Sequence, residues 1–410
     1  MNREEIKKQC SICSKCGKCR TVCPTFVEER KEALSTRGRI HLTNDYANKT
    51  CKASEPLIKS VSTCLFCLKC KSVCPNNVDI EKVIIPARSE ILDTNGRSFI
   101  ESFIMKYIVG RRRPLSIAAS LMGISDRAIS LAHMQTIYRS LLNTTMGVDK
   151  TRLMPKFSIR HFYGGKKASV TAPGNTKTVI YFPGCSANLV LTNIAESALA
   201  LLLRSGTDVL LPRMNCCGMP VYASGDLDLA AKLARQNIEK LRATGARTIV
   251  TTCGSCGSML GRIYKDLLGS DADDFEVIDI MSYLIREGLE PGSHSLNLNV
   301  TYHDPCHLKR GMNVYEEPRQ LLSNMPGVNF IEMEDADTCC GSGGTVTLKY
   351  YDLSKRIRKN KIHRFQRTKA HVLATGCPAC VMNLEDGMAE YGLETKVLHP
   401  IELLNLTFER

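Results

Sequence analysis

Four cysteines in the order Cys64-Leu-Phe-Cys67-Leu-Lys-Cys70-Lys-Ser-Val-Cys74-Pro75 constrain this chain more than any other stretch. A C-x2-C-x2-C loop curls three thiolates onto one face of a [4Fe-4S] cubane, and geometry turns the fourth cysteine away to serve a second cluster. A second cluster demands a second run, and Cys13-Ser-Lys-Cys16-Gly-Lys-Cys19-Arg-Thr-Val-Cys23-Pro24 repeats the spacing. The expected ligand sets therefore cross. Cys13, Cys16, Cys19 and Cys74 hold one cubane, and Cys64, Cys67, Cys70 and Cys23 hold the other. Zinc also takes four thiolates, but it gives no reason for two copies that each end in Cys-Pro.

The chain has 410 residues and 20 cysteines, which is room for two or three domains. No run of eighteen apolar residues occurs, and the charged start Met1-Asn-Arg-Glu-Glu-Ile-Lys-Lys lacks the apolar core of an export signal. The expectation is a cytoplasmic protein, where cysteines read as metal ligands rather than disulfides. Two fall outside every motif: Cys10 and Cys51 read as spare thiols. Over residues 1–167, Lys and Arg outnumber Asp and Glu by 30 to 14, whereas beyond them the count is 25 to 27. The basic half is the cluster half. That asymmetry points to an acidic protein partner or an anionic membrane surface, with peripheral attachment to the inner membrane as one outcome. Nucleic acid is not expected, because no helix-turn-helix, finger or aromatic-basic platform accompanies the charge.

Read in order, residues 1–97 form a small helical, ferredoxin-like two-cluster domain, with helix-like sequence around Thr36-Arg37-Gly38-Arg39-Ile40 and again from Val78. Residues 98–176 form a cysteine-free, basic helical linker. It opens with Arg111, Arg112 and Arg113, and Ile117, Leu121, Ile124, Ala128 and Leu131 recur at helical spacing. A connector packed between two halves is the simpler reading of this stretch, and a membrane-surface helix is the other. Lys166 to Asn175 reads as a loop or boundary.

Residues 177–290 and 297–410 are two copies of one unit. Cys185, Cys216-Cys217 and Cys253-Gly-Ser-Cys256 in the first answer to Cys306, Cys339-Cys340 and Cys377-Pro-Ala-Cys380 in the second. Each copy alternates strand and helix, with expected strands from Thr178, Thr207 and Arg247 and again from Val300, Val328 and His371. This pattern gives a parallel sheet with cysteines at or just after the strand ends, where sites form in such sheets. Gly218, Gly254, Gly341, Gly343 and Gly344 are expected to let backbone approach the sulfurs. The fold class is thus α+β and multi-domain, a small helical two-cluster domain followed by a duplicated α/β cysteine-rich unit. Five thiolates per unit exceed the four that a cubane or a zinc ion uses.

Two ferredoxin runs followed by two such cysteine units resemble the CCG-domain iron–sulfur proteins. This family includes the iron–sulfur subunit of glycolate oxidase, the corresponding subunit of anaerobic glycerol-3-phosphate dehydrogenase and the heterodisulfide reductase subunits. Arg37-Gly38-Arg39-Ile40 and Cys339-Cys340-Gly341-Ser342-Gly343-Gly344-Thr345 are most similar to the first. Leu153-Met-Pro-Lys-Phe and Cys217-Gly-Met-Pro are similar to the second, and the full set of ten C-terminal cysteines is similar to the third. The resemblance implies two [4Fe-4S] cubanes and one or two further [4Fe-4S] clusters, cubane or non-cubane, in the C-terminal units. It also implies a role as electron-transfer subunit of a flavin-dependent dehydrogenase of a small 2-hydroxy acid or glycerol-3-phosphate. The expected partners are an FAD-containing dehydrogenase subunit and a quinone or membrane electron acceptor. The alternative is a heterodisulfide reductase-like catalytic subunit. No G-x-G-x-x-G loop or P-loop follows a strand, so neither flavin nor nucleotide is expected in this chain. His303, Asp304, His307 and His399 lie near the ligands in sequence, where a histidine can tune a potential or carry a proton; none is assigned a catalytic role.

Overall fold

The computed structural model of the chain describes residues 3–97, 99–131, 152–153, 155–172, 177–272, 274–343 and 346–409. Helices dominate the first quarter. Helix Thr36–Ala47 is capped by the Ser35 hydroxyl, which accepts from Gly38 N, and helix Glu81–Asn95 runs through an internal Pro86. Between them Ile40, Leu57, Val61, Val83 and Ile84 form a small apolar core that also buries Cys64 and Leu68.

Each C-terminal unit is built on its own sheet. In the first, β1 (Ser169–Val170), β2 (Lys177–Phe182), β3 (Thr207–Leu210), β4 (Thr248–Thr251) and β5 (Glu276–Asp279) lie in the order β1-β3-β2-β4-β5. In the second, β6 (Leu298–His303), β7 (Val328–Phe330), β8 (Val372–Thr375) and β9 (Lys396–Leu398) lie in the order β7-β6-β8-β9. Every pair is parallel except β1 with β3. Within residues 177–290 and 297–410 the first strand of each unit sits between the second and third, so chain order reverses there. This is the crevice at which doubly wound sheets place their sites. Cys185 and Cys306 follow that first strand, and Cys253 and Cys377 follow the third.

The duplication appears in the packing as well as in the sequence. Helix Gly254–Ser258 of the first unit packs on helix Cys306–Met312 of the second, and helix Gly184–Leu189 of the first on helix Pro378–Glu390 of the second. Each contact joins the helix after the third strand of one copy to the helix after the first strand of the other. That reciprocity is the signature of a pseudo-twofold axis between the copies. One apolar core runs through both sheets and takes in Phe66 and Ile85 of the cluster domain.

The segment after residue 98 packs Met105 and Val109 against the core of the C-terminal units. Helix Arg112–Leu131 forms, but Ile117, Leu121 and Ile124 are 61%, 62% and 53% exposed. Its opposite side is the packed one, where Ala119 is buried and Gly123 lies against the Phe157 carbonyl. Ala128 and Leu131 lie in the same helix, at positions where side chains are outside the described set. Further on, Phe162 and Tyr163 enter the first unit's core, and Ser169–Val170 pairs with β3 inside the stretch expected to be loop.

Candidate metal centres

The two N-terminal runs fold into loops whose turns need left-handed backbone at Gly17, with φ +83°, and at Phe66 and Leu68. Cys13, Cys16, Cys19, Cys70 and Cys74 line one cavity together with Lys15, Lys18 and Arg37. Cys74, from the second run, thus faces the three thiols of the first. Cys16 is exposed, so this cavity opens at the surface, inside a basic rim. The other group is interior: Cys23, Cys64 and Cys67 are buried, and Cys23 and Cys64 both face Arg39.

Arg39 stands out in the sequence only as part of a helix-like stretch, with no role attached. It is 1% exposed. Its guanidinium donates to Cys23 Sγ at 3.5 Å, to the Ser60 carbonyl at 2.7 Å and to Thr63 Oγ1 at 3.2 Å. A cation sealed in beside thiols is tolerable only if those thiols carry negative charge, as metal ligands do. Arg88, also buried, donates to the Val61 and Cys64 carbonyls at 2.9 and 2.6 Å and reaches the Ala223 carbonyl of the first unit.

In the first unit Cys216, Cys217, Cys253 and Cys256 are buried and Cys185 is partly so; in the second Cys339, Cys340, Cys377 and Cys380 are buried and Cys306 is partly so. Cys256 Sγ lies 3.4 Å from Cys217 Sγ, and Cys185 neighbours Cys216. Gly184, at φ +73°, makes room for this, since a Cβ there would meet Cys256 Sγ at 2.9 Å. The equivalent contacts in the second unit join Cys306 to Cys339 and Cys340 to Cys380. Hydrogen bonds from Cys216 and then Cys256 pull the Cys217 thiol down to about 5, and those from Cys339 and Cys380 pull Cys340 well below its ordinary value. Hydrogen bonds from Cys253 and then Cys380 lower Cys377 in the same way. Polar side chains hold the pairs in place: Asn237 Nδ2 donates to the Cys216 carbonyl at 3.0 Å and Asn383 Nδ2 to the Cys340 carbonyl at 2.7 Å. Five neighbouring thiols in each unit suit iron, whose ligands are thiolates.

The glycine expectation is met at Gly218 and Gly341, whose backbone reaches sulfur. Added carbons at Gly218, Gly254, Gly341 and Gly343 would meet Met259, Leu308, Ser354 and Leu65 rather than sulfur. Of these four, Gly341 has an N–H that donates to Cys339 Sγ at 3.4 Å, and the Gly218 N–H bonds the Cys216 thiol. Gly344 lies outside the described residues. Gly343 has a different task, because a Cβ there would fall 2.0 Å from the Leu65 carbonyl. It lets the second unit close on the cluster domain.

Closure of that kind joins the sites. The Cys67 thiol is a hydrogen-bonding neighbour of Cys339, and Lys69 Nζ binds Asp337 at 2.8 Å beside it. Across the pseudo-twofold axis Cys253 neighbours Cys377. These are equivalent residues of the two copies, and only residues on an axis touch their own equivalents. Ser255 Oγ, 3.9 Å from Cys377 Sγ, also bonds His307 Nδ1, whose ring reaches the Phe66 carbonyl at 2.9 Å. Of the spare thiols, Cys10 Sγ sits 3.4 Å from His41 Nδ1 and lies beside Cys13, whose charge helps to raise its pKa, whereas Cys51 is exposed.

Comparison with known proteins agrees with this geometry. A cysteine-rich domain, CCG, matches residues 179–261 and 300–385, and a 4Fe-4S dicluster domain matches residues 9–78. The probable glycolate oxidase iron–sulfur subunit of Bacillus subtilis is 30% identical over 96% of this chain and 92% of its own length. The chain belongs to the CCG-domain iron–sulfur proteins. One of the subunits of dihydromethanophenazine:CoB–CoM heterodisulfide reductase from Methanosarcina acetivorans is 27% identical over 97% of this chain and 94% of its own. Lactate utilization protein A of Oceanobacillus iheyensis is 32% identical over 55% of this chain and 96% of its own. Among solved structures, a hypothetical protein from Helicobacter pylori shares the fold at a TM-score of 0.55 and 9% identity, covering 100% of this chain and 76% of that one. As a CCG protein with a dicluster domain the chain carries iron–sulfur clusters, and none of its described helices is long and apolar enough to cross a membrane.

Proposed function

We propose that this CCG protein is the electron-transfer subunit of an oxidoreductase, taking electrons from an FAD-containing dehydrogenase subunit that oxidises a small 2-hydroxy acid or glycerol-3-phosphate and passing them to quinone or another acceptor. The observation that carries the reading is the unbroken sequence of thiols from surface to interior. It starts at the exposed Cys16, passes Cys70 and Cys67, crosses to Cys339 in the second unit, and crosses again from Cys377 to Cys253 in the first. Iron–sulfur clusters supply one-electron carriers when bound. The chain's own part is to hold the thiolates at neighbouring positions, to bury most of those beyond the first group, and to offset the charge of the inner N-terminal set with Arg39 and Arg88. Cys13, Cys16, Cys19 and Cys74 would hold the surface cubane, Cys64, Cys67, Cys70 and Cys23 the inner one, and the five thiolates of each CCG unit a further cluster.

The basic half suits docking. Lys15, Lys18 and Arg37 ring the surface site, and Arg111, Arg112, Arg113, Arg213 and Lys240 line a separate cleft of about 1220 Å³. Acidic partner surfaces would be steered to this side. In this reading residues 1–97 are the docking and entry domain and residues 177–290 and 297–410 the inner carriers.

A second reading has its own support. All ten C-terminal cysteines are present, and the partly buried Cys185 and Cys306 leave each unit less than fully sealed, which suits a disulfide-reducing site. Anaerobically purified protein separates the two. The relay reading expects about sixteen irons per chain from four four-iron sites, no paramagnetic species induced by thiol under oxidising conditions, and no reduction of small heterodisulfides. A thiol-induced signal that disappears in Cys339→Ala or Cys340→Ala overturns the relay in favour of the reductase.

A further inference from the structure

The long helix that precedes the third strand repeats between the two CCG units down to the positions it buries. At the spacing that separates Cys253 from Cys377, Leu233, Ile238 and Leu241 of helix Leu227–Arg242 answer to Ile357, Ile362 and Phe365 of helix Tyr351–Thr368, all of them buried. Two further buried positions change character. Arg358 stands where the first unit has Ala234, and Lys361 where it has Asn237. Asn237 is neutral and donates its amide to the Cys216 carbonyl and the Tyr264 hydroxyl. Arg358 is a cation, but Asp386 at 2.5 Å and Glu390 at 2.7 Å neutralise it. Lys361 has no such partner. It is 1% exposed, and its Nζ donates to the Asp335 and Ala336 carbonyls at 2.7 and 3.0 Å. The acidic side chains on either side of Ala336 are engaged elsewhere, Asp335 by Arg364 at 2.7 Å and Asp337 by Lys69 at 2.8 Å.

An ammonium enclosed among neutral oxygens is tolerable only with an anion close by. Burial lowers the Lys361 pKa from 10.5 to about 8, and of the neighbours that favour its charge Cys340 comes first. The route from nitrogen to sulfur is short. His303 Nδ1 lies 3.0 Å from the same Ala336 carbonyl, and His303, Cys340 and Cys380 each offer a donor atom within 4.8 Å of the others. One shared carbonyl and one imidazole thus separate the ammonium from two thiols of the second unit. Among the described residues of the first unit no Lys or Arg is buried. Arg112 of the linker lines the cavity at Cys185 and Cys216, but it is partly exposed, where water weakens its field.

We propose that Lys361 is the buried counter-ion of the second unit's iron–sulfur cluster, and that its charge makes the second unit the electron-accepting member of the pair, at a more positive potential than the first. This rests on the reading that both units hold iron. One-electron reduction adds a negative charge, and a fixed cation in a dry site stabilises the reduced form more than the oxidised one. No bond to the metal is involved. Lys361 tunes the site through its field and leaves the five cysteines as the ligand set.

The test uses the full chain, loaded anaerobically and titrated with EPR detection. The two signals are assigned by their loss in Cys217→Ala and in Cys340→Ala. In the wild type the second-unit signal should appear at the more positive potential. In Lys361→Met the reduced-to-oxidised ratio of the second unit, read at the wild-type midpoint, should fall by about tenfold or more, with the first-unit signal unmoved. The reverse order in the wild type overturns the inference even if the variant fails to load. So does a second-unit midpoint that stays in place in Lys361→Met, or one that moves together with that of the first unit. Either unit found without iron overturns this inference and the loading it rests on together; iron in both with an unshifted midpoint overturns the inference alone.

Discussion

Arg39 carries a positive charge into a place with no water, and its three acceptors are a thiol, a carbonyl and a hydroxyl. Burial opposes the charge, and the Cys23 and Cys64 thiolates more than restore it. Arg39→Met should therefore cost about 3–5 kcal/mol in the iron-loaded protein, the usual consequence of removing one side of a buried charge pair. It should also drive the inner cubane to a more negative potential, read by EPR-monitored titration. Asp279 poses the opposite problem. It caps helix Ile280–Arg286 through Oδ1, which accepts from Met281 N at 2.9 Å, but Oδ2 is buried without a partner. Burial, with Glu317 and Cys377 nearby, raises its pKa from 3.8 to about 8. Between these values the native state binds a proton that the unfolded chain does not. The contribution is therefore complete below the unfolded value and is lost as pH rises through 8, at up to about 1.4 kcal/mol per pH unit. Melting temperatures of Asp279→Asn should fall less than those of wild type between pH 5 and pH 8; parallel curves would show that Asp279 stays ionised. Neither residue is legible from sequence alone. The cysteines announce themselves by spacing, but Arg39 and Asp279 matter through what surrounds them, and a burial of that kind leaves no periodic mark.

At the scale of elements, the strands that lead to cysteines are readable because each is a β-branched, apolar run ending at a turn, as in Thr178-Val-Ile-Tyr-Phe. The missed ones, β1, β5 and β9, each begin on an exposed residue, and neither β5 nor β9 runs into a cysteine motif that would draw attention to it. The helix Arg112–Leu131 is readable from its spacing, but which side is buried is not. Ala119 and Gly123 pack because they are small enough for close approach, leaving Ile117, Leu121 and Ile124 in solvent next to Arg111, Arg112 and Arg113. Basic residues beside an exposed apolar stripe suit an anionic lipid surface. Binding to phosphatidylserine-containing vesicles should weaken with salt and weaken further when the three arginines become glutamine; equal binding to neutral vesicles would count against it. The Gly343 contact gives a sharper expectation. Gly343→Ala should cost about 1–3 kcal/mol through overpacking against the Leu65 carbonyl, with faster amide exchange confined first to residues 64–68.

For the molecule as a whole, the proposed crossing of the ligand sets makes a prediction that single sites do not. Cys74→Ala should damage the cluster of Cys13, Cys16 and Cys19, and Cys23→Ala the cluster of Cys64, Cys67 and Cys70. Separate EPR signals read the outcome, and damage confined to the mutated run's own cluster would undo the crossing. The sequence offsets disclose the duplication, but not that the copies meet face to face. The axis is fixed by small surfaces: Gly254 against Leu308, Gly257 against Met312 and Gly311 against Ser258. Glycine in these roles is silent in a single sequence, since it marks a neighbour that lies far along the chain.

The meeting of Cys67 with Cys339 has a consequence for how such a chain is made. During synthesis the first ninety or so residues leave the ribosome long before residues 306–343 exist, so the wall that would seal the inner cluster arrives late. Until then Cys67, which packs against Cys339 in the finished chain, lacks that cover and leaves the run open to whatever donates iron and sulfide. Afterwards the Lys69–Asp337 pair and the Gly343 contact close over it. Biogenesis is thereby ordered by chain length alone, with metal first and closure second. A ribosome-stalled fragment ending before residue 300 should accept iron from solution far faster than the finished apo-chain.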